Sequence, residues 1–184
     1  MKSHQGKVIS PGFAAGRAVI YTSGKGVMFP RYRIDEVDVD SEHDRLCMAV
    51  SDACQELEQL HERALRDLGE SQAAIFAAHL GLLKDEKLLN RVREYVKRDL
   101  VNIEQALHEE VSKLAEQLNA VEDEYLRERA KDIRDVGRRL MSHLTGEARP
   151  LLTALPAETI LVADELLPSD TLHLDSARDR KSVV

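Results

Sequence analysis

The feature that most constrains this chain is a stretch without proline, residues 31–145, in which the only glycines are Gly69, Gly81 and Gly137. Proline breaks a helix and glycine loosens it, so a long run almost free of both predicts one helix after another. The apolar residues return in steps of three and four. Leu46, Cys47, Val50, Ala53, Cys54, Leu57, Leu60, Ala64 and Leu65 mark the inner stripe of a first helix. Asp38, Asp40 and Glu42 complement the positive end of its dipole, and Gly69 ends it. Ser71 is placed to cap a short helix reaching about Leu83, and Asp85 to cap the next, with Leu88, Leu89, Val92, Tyr95 and Val96 inward. Asn102 followed by Gln105 reads as a capping box for a helix carrying Ile103, Leu107, Val111, Leu114 and Leu118. The last helix runs from about Asp123 to Gly146, with Tyr125, Leu126, Ala130, Ile133, Val136, Leu140, Met141 and Leu144 inward. Four longer helices and one short one, joined by short loops, predict a compact antiparallel bundle.

The flanks read differently. Residues 6–30 hold five glycines and two prolines, and Gly146, Pro150, Pro156 and Pro168 follow the helical stretch. Val8-Ile9, Ala18-Val19-Ile20-Tyr21 and Thr159-Ile160-Leu161-Val162-Ala163 are short β-type runs, and Pro168-Ser169-Asp170 opens a short helix at Ser169. The expected fold is therefore mainly α: an antiparallel helical bundle inserted into a small α/β domain. Residues 1–35 supply the opening strands, 36–146 the helical domain and 147–178 the returning part.

Composition excludes several functions. With 26 Lys+Arg against 33 Asp+Glu the net charge is −7, and no basic cluster stands out, so nucleic acid is not an expected partner. No apolar run nears the ~20 residues that span a bilayer, and Met1–Lys7 lacks a signal-peptide core, so the expectation is a cytoplasmic protein away from the membrane. Cys47 and Cys54 lie two helical turns apart, ~10 Å, too far for a disulfide, and are expected as small buried residues. The seven histidines show no i, i+4 pair and no His-Glu-x-x-His run, so no metal site is expected. Glu122, Asp123 and Glu124 suit a helix start. Arg127, Arg129, Arg134, Arg138 and Arg139 are expected to pair mostly with Glu124, Glu128, Asp132 and Asp135 at helical spacing. There is no glycine-rich phosphate loop and no Ser–His–Asp arrangement.

The segment Ser71–Leu83, SQAAIFAAHLGLL, is the most informative one. It is apolar around most of its circumference, so it is either a central core helix or a helix with one face left for another protein. His79 within it is either a satisfied structural imidazole or a group at that partner surface.

Three stretches together resemble one family. Ile9-Ser-Pro-Gly-Phe-Ala-Ala-Gly-Arg-Ala18 is similar to its opening strand and turn, and Ile75-Phe-Ala-Ala-His-Leu-Gly-Leu-Leu-Lys-Asp85 to its short partner-facing helix. Asp123-Glu-Tyr-Leu-Arg-Glu-Arg-Ala-Lys-Asp-Ile-Arg-Asp-Val-Gly-Arg-Arg139 is similar to its most recognisable helix, and Ile160–Asp164 with Pro168–Thr171 continues the match. The family is Enzyme I, the phosphoenolpyruvate–protein phosphotransferase of the bacterial sugar phosphotransferase system. The resemblance implies an α/β domain of phosphohistidine type, split by a helical domain that docks the phosphocarrier HPr. It also implies a second half, a barrel that binds phosphoenolpyruvate and Mg²⁺ and through which the full-length family forms a homodimer. A histidine takes the phosphoryl group and passes it to HPr, a task suited to imidazole because it is nucleophilic when neutral. By resemblance, Glu70, His79, Leu82, Asp85, Leu126 and Arg129 align with the HPr interface.

The family's active histidine lies in a Gly-Gly-x-Thr-Ser-His stretch, which does not occur in these 184 residues. The resemblance therefore places no catalytic residue, cofactor or metal ligand in this chain, which is expected to be inactive alone. Leu167 stands where the family often has a threonine near that histidine. The last six residues, Asp179-Arg-Lys-Ser-Val-Val184, can be encoded by GAT CGG AAG AGC GTC GTG, the opening of a common sequencing adapter, and are expected to be an artefactual tail. Two other readings keep part of this picture: a homologue serving nitrogen regulation, and a non-enzymatic helical adaptor that only binds a carrier protein.

Overall fold

The computed structural model describes residues 15–21, 29–146, 155–156, 159–163 and 166. The chain divides into two compact units, one formed by Met1–Val27 with Pro150–Val184 and the other by Met28–Arg149.

Among its described residues the second unit is built on five helices, α1 (Val39–Asp67), α2 (Glu70–Leu83), α3 (Glu86–Asp99), α4 (Ile103–Asn119) and α5 (Glu124–Thr145), with a 3₁₀ turn, Glu36–Asp38, before α1 and an isolated antiparallel bridge between Arg33 and Val101. Five helices were expected, but α3 is as short as α2, 14 residues each. Helix α1 is the hub, packing on all four others. Its buried stripe is Leu46, Ala49, Ala53, Leu57, Leu60 and Ala64. Cys47 lies about 100° round the helix from Leu46 and is exposed, contrary to expectation, while Cys54 is only half-buried. Burial still pushes the Cys54 thiol pKa up. Leu65, expected inward, is 40% exposed.

The start of α4 holds a buried polar network, and here the expected capping box is absent. The Asn102 side chain makes no cap bond. Instead the Glu42 carboxylate of α1 accepts from the Ile103 amide at 2.6 Å, so a residue 61 positions away closes the helix end. Asn102 donates to the Pro30 carbonyl and to Glu104, both at 2.7 Å, and accepts from the Tyr32 amide at 3.3 Å. Arg45 bridges Glu42 and Glu104. Burial opposes the Arg45 charge, but the hydrogen bonds to Glu104 and Glu42 outweigh it and hold its proton more tightly than usual.

Helices α4 and α5 approach closely at Gly137. A Cβ there would stand 2.7 Å from Val111 Cγ1, so only glycine fits. Arg139, one of the arginines expected to pair mostly within α5, is fully buried and pairs with Glu56 of α1. Glu56 also meets His143 Nε2 at 2.9 Å.

In the first unit β1 (Arg17–Tyr21) and β2 (Thr159–Ala163) form a two-stranded parallel sheet, with Arg17 opposite Thr159 and Tyr21 opposite Ala163. Two of the three β-type runs are therefore strands, and each is the other's neighbour. Among the described residues no helix is long and apolar enough to cross a membrane. Val8-Ile9, Leu167, the turn at Pro168–Asp170 and the final six residues lie outside the described residues.

Candidate functional site

Gly69, at φ 96°, does two things at once. Its amide closes α1 by donating to the Ala64 carbonyl at 3.0 Å, and its carbonyl accepts from Ala73 to begin α2. The turn starts α2 at Glu70, one residue ahead of the expected Ser71 cap. Alanine and leucine then favour helix throughout. No Lys, Arg, Asp or Glu occurs from Ser71 to Leu83. Ala73, Phe76, His79 and Leu83 face inward. Ile75, Ala78, Leu80 and Leu82 are half-buried, while Ala74, Ala77 and Gly81 are exposed. The helix therefore presents an outer surface that is apolar and small. It packs chiefly on α1 and meets α5 along a narrower line.

On α5 that line is marked by Asp132 and Asp135, which meet His79, and the first turns of the helix lead up to it. Asp123 caps the helix, accepting from the Tyr125 and Leu126 amides at 2.9 and 3.3 Å, a closer role than the dipole complement expected of it. Tyr125, expected inward, is instead 64% exposed. Its hydroxyl accepts from Arg129 Nη2 at 2.9 Å, and the guanidinium carbon stands 5.3 Å from its ring centre. The hydrogen bond to Tyr125 raises the Arg129 pKa against the smaller effect of burial. Arg129 Nη1 also lies 3.8 Å from Asp132 Oδ2. On its other side Asp132 Oδ1 is 3.4 Å from His79 Nε2, and His79 Nδ1 is 3.5 Å from Asp135 Oδ2. A continuous line of polar contacts thus runs from exposed Tyr125 through Arg129 and Asp132 to His79 and Asp135. Those last two are each only 1% exposed.

The residues assigned by resemblance take different places in this arrangement. His79 is buried under α2, and it shares Asp132 with Arg129. Leu82 and Leu126 are half-buried, and Glu70 is exposed at the start of α2. Asp85 is exposed but already engaged as the cap of α3, accepting from the Lys87 amide at 2.8 Å. The sequence reading gave no part in the site to Asp132, Asp135 or Tyr125. One signal was available: Asp132, Asp135 and Arg139 recur at steps of three and four beside the apolar stripe of α5. Among the described residues no group of three or more His, Cys, Asp or Glu is arranged to hold a metal ion.

Comparison with known proteins decides the family. Residues 5–129 match the family described as PEP-utilising enzyme, N-terminal. The chain belongs to the Enzyme I (phosphoenolpyruvate–protein phosphotransferase) family and carries its amino-terminal region. It is 43% identical over 138 residues to the phosphoenolpyruvate-protein phosphotransferase of Geobacillus stearothermophilus, covering 75% of this chain and 24% of that protein. It is 36% identical over 170 residues to that of Haemophilus influenzae, covering 92% of this chain and 29% of the relative. The chain thus spans about a quarter of the length of such curated relatives. A solution structure of an Enzyme I protein (nEIt) superposes with a TM-score of 0.73 at 35% identity, covering 90% of this chain and 66% of the other. The N-terminal domain of Enzyme 1 – Nitrogen superposes with a TM-score of 0.64 at 30% identity, covering 86% and 65%. The helical architecture with its small parallel sheet is that of the Enzyme I amino-terminal region. In this Enzyme I segment the line from Tyr125 to Asp135 ties helix α2 to α5.

Proposed function

We propose that this segment docks an HPr-like phosphocarrier protein across α2 and the first turns of α5, as the carrier-binding part of a cytoplasmic phosphoenolpyruvate–protein phosphotransferase that serves sugar uptake. One observation carries the reading. Helix α2 turns an uncharged outer surface of Ala74, Ala77, Gly81 and Leu82 outward in a chain where 32% of residues are charged. An apolar patch with a polar rim is the anatomy of a protein interface. Exposed Tyr125 and half-buried Arg129, on α5, supply residue types favoured at binding hot spots. Since α2 itself carries so little charge, apolar contact rather than electrostatic steering dominates affinity. Phosphoryl transfer from phosphoenolpyruvate, with Mg²⁺ and homodimer formation, is assigned to parts of the full-length protein beyond this segment, and no catalytic step is assigned to the residues described.

The test is a titration of a cognate HPr-like carrier into the chain while backbone amide shifts are followed. Shifts should concentrate on α2 and the start of α5. Leu82→Asp should weaken binding by about 1–3 kcal/mol, as loss of an interface anchor does. Leu82 is half-buried, so a second variant guards against a folding effect. Gly81 is exposed and a Cβ there meets nothing within 4 Å, so Gly81→Gln should leave the fold intact yet obstruct the carrier. Unchanged affinity in Gly81→Gln, with shifts mapping elsewhere, would reject the site.

A further inference from the structure

A groove of about 410 Å³ runs between α3 and α4, a volume at the lower end of small-ligand sites. Its walls carry four cations, Lys87, Arg91 and Arg98 from α3 and Lys113 from α4, against two carboxylates, Glu94 and Glu110. That is a local excess of positive charge in a chain whose net charge is −7. Arg98 pairs with Asp99 and lies over the Tyr95 ring, 4.8 Å from its centre. Among the described residues the side chains of Lys87, Arg91 and Lys113 make no hydrogen bond or ion pair.

Glu110 is the unusual member. It is only 8% exposed, yet it lines the groove, and among the described residues its carboxylate accepts no hydrogen bond. A buried carboxylate left in that state is costly. Tyr95, half-buried in the same wall, and Arg98 both lie within its field. Burial, then the fields of Asp99, Glu109 and Glu110, push the Tyr95 hydroxyl pKa up, so it keeps its proton and stays a donor. At 1.5 Å per residue, Arg91 stands about 6 Å and Lys87 about 12 Å along α3 from Tyr95. The groove therefore asks for a donor or cation beside Glu110 and for an anion a helical turn or more away.

We infer that the α3–α4 groove binds a small zwitterion of net negative charge, of the acidic amino-acid class, with its ammonium on Glu110 and its carboxylates on Arg91, Lys113 and Lys87. A plain anion would answer the lysines and arginines but bring like charge to the buried carboxylate. A plain cation would answer Glu110 but face four side chains of its own sign. A ligand with both charges meets both demands, and an excess of carboxylate matches the excess of cations. An ammonium has three donors, enough to satisfy Glu110 and still reach the Tyr95 oxygen, while a guanidinium accepts a carboxylate on two parallel bonds. The groove is lined by α3 and α4 alone, so this binding does not depend on the carrier-docking reading of α2 and α5.

The experiment uses the whole chain labelled with ¹⁵N, with backbone amide and arginine Nε signals followed at neutral pH and constant ionic strength. The probes are L-aspartate and succinate, which share two carboxylates and differ by the amino group. L-aspartate should give saturable shifts around Arg91, Tyr95, Glu110 and Lys113. Succinate should bind about tenfold more weakly or worse, the loss of one charged hydrogen bond to a buried acceptor. Glu110→Gln should abolish that preference, and Lys113→Gln should weaken both probes alike. Lys113 is exposed, so its variant keeps the fold. If Glu110→Gln loses its helical circular dichroism, the comparison of the two probes in the parent chain and in Lys113→Gln decides. Equal affinity for L-aspartate and succinate would mean that water alone answers Glu110 and would overturn the zwitterion. A linear drift that sodium chloride reproduces, or saturable shifts confined to other helices, would overturn the site.

Discussion

At the scale of single residues, Glu42 shows how far a local rule can be served from a distance. The first amides of any helix lack intrahelical partners, and a short polar side chain just ahead ordinarily supplies one. In α4 that acceptor is the carboxylate of Glu42, which also takes Arg45 at 2.8 Å. Removing it strands a buried amide and takes away one of the two carboxylates that hold Arg45. Glu42→Ala should therefore cost about 1–3 kcal/mol in urea unfolding, the range for losing a charged hydrogen-bond partner in a buried site. Glu42→Gln keeps an acceptor but not the charge, and its loss should be smaller. Equal stability of Glu42→Ala and the parent chain would show that water closes the helix end instead.

At the scale of elements, the α4–α5 crossing depends on one missing side chain. A Cβ on residue 137 would meet Val111 at 2.7 and 2.9 Å, with little room to give because Val111 is itself buried. Alanine in a helix ordinarily gains about 1 kcal/mol over glycine. Here overpacking, about 1–3 kcal/mol, should win. Gly137→Ala should lower the urea midpoint, and Val111→Ala in the same chain should recover part of the loss. A midpoint that rises instead would mean the helices separate freely. The sequence made such elements legible to different degrees. Helix existence followed from period alone, and the cap Asp85 was found because it acts within two residues of itself. The cap of α4 was missed because its acceptor comes from another helix. Cys47 and Tyr125 were placed inward since a stripe of apolar letters has no sharp edge, and one step of about 100° separates a buried position from a wet one. His79 posed the same problem across helices. The charged spacing on α5 was visible, but which helix lies opposite it is a property of packing.

At the scale of the whole molecule, the segment ahead of α1 belongs to the stability of the helical unit. Ile34 donates to Leu100 at 3.0 Å, Asn102 to Tyr32 at 3.1 Å, and the Asn102 side chain engages Pro30 and Tyr32. These four hydrogen bonds, at about 0.5–1 kcal/mol each net, separate a fragment beginning at Phe29 from one beginning at Glu36. Both, ending at Gly146, should be helical by circular dichroism, and the longer one should be more stable by about 2–4 kcal/mol. Coincident unfolding curves would show that residues 29–35 contribute nothing. The pairing of β1 with β2 carries a consequence of another kind, in time. Tyr21 cannot meet Ala163 until 142 further residues have been made (163 − 21). At about 5–20 residues per second that is a wait of roughly 7–30 s. Helical bundles fold in microseconds to milliseconds. On the ribosome, then, the helical unit is finished while β1, with Ile20 at 80% exposure even in the final fold, still lacks β2. For that interval an apolar strand edge is on offer to any other nascent chain.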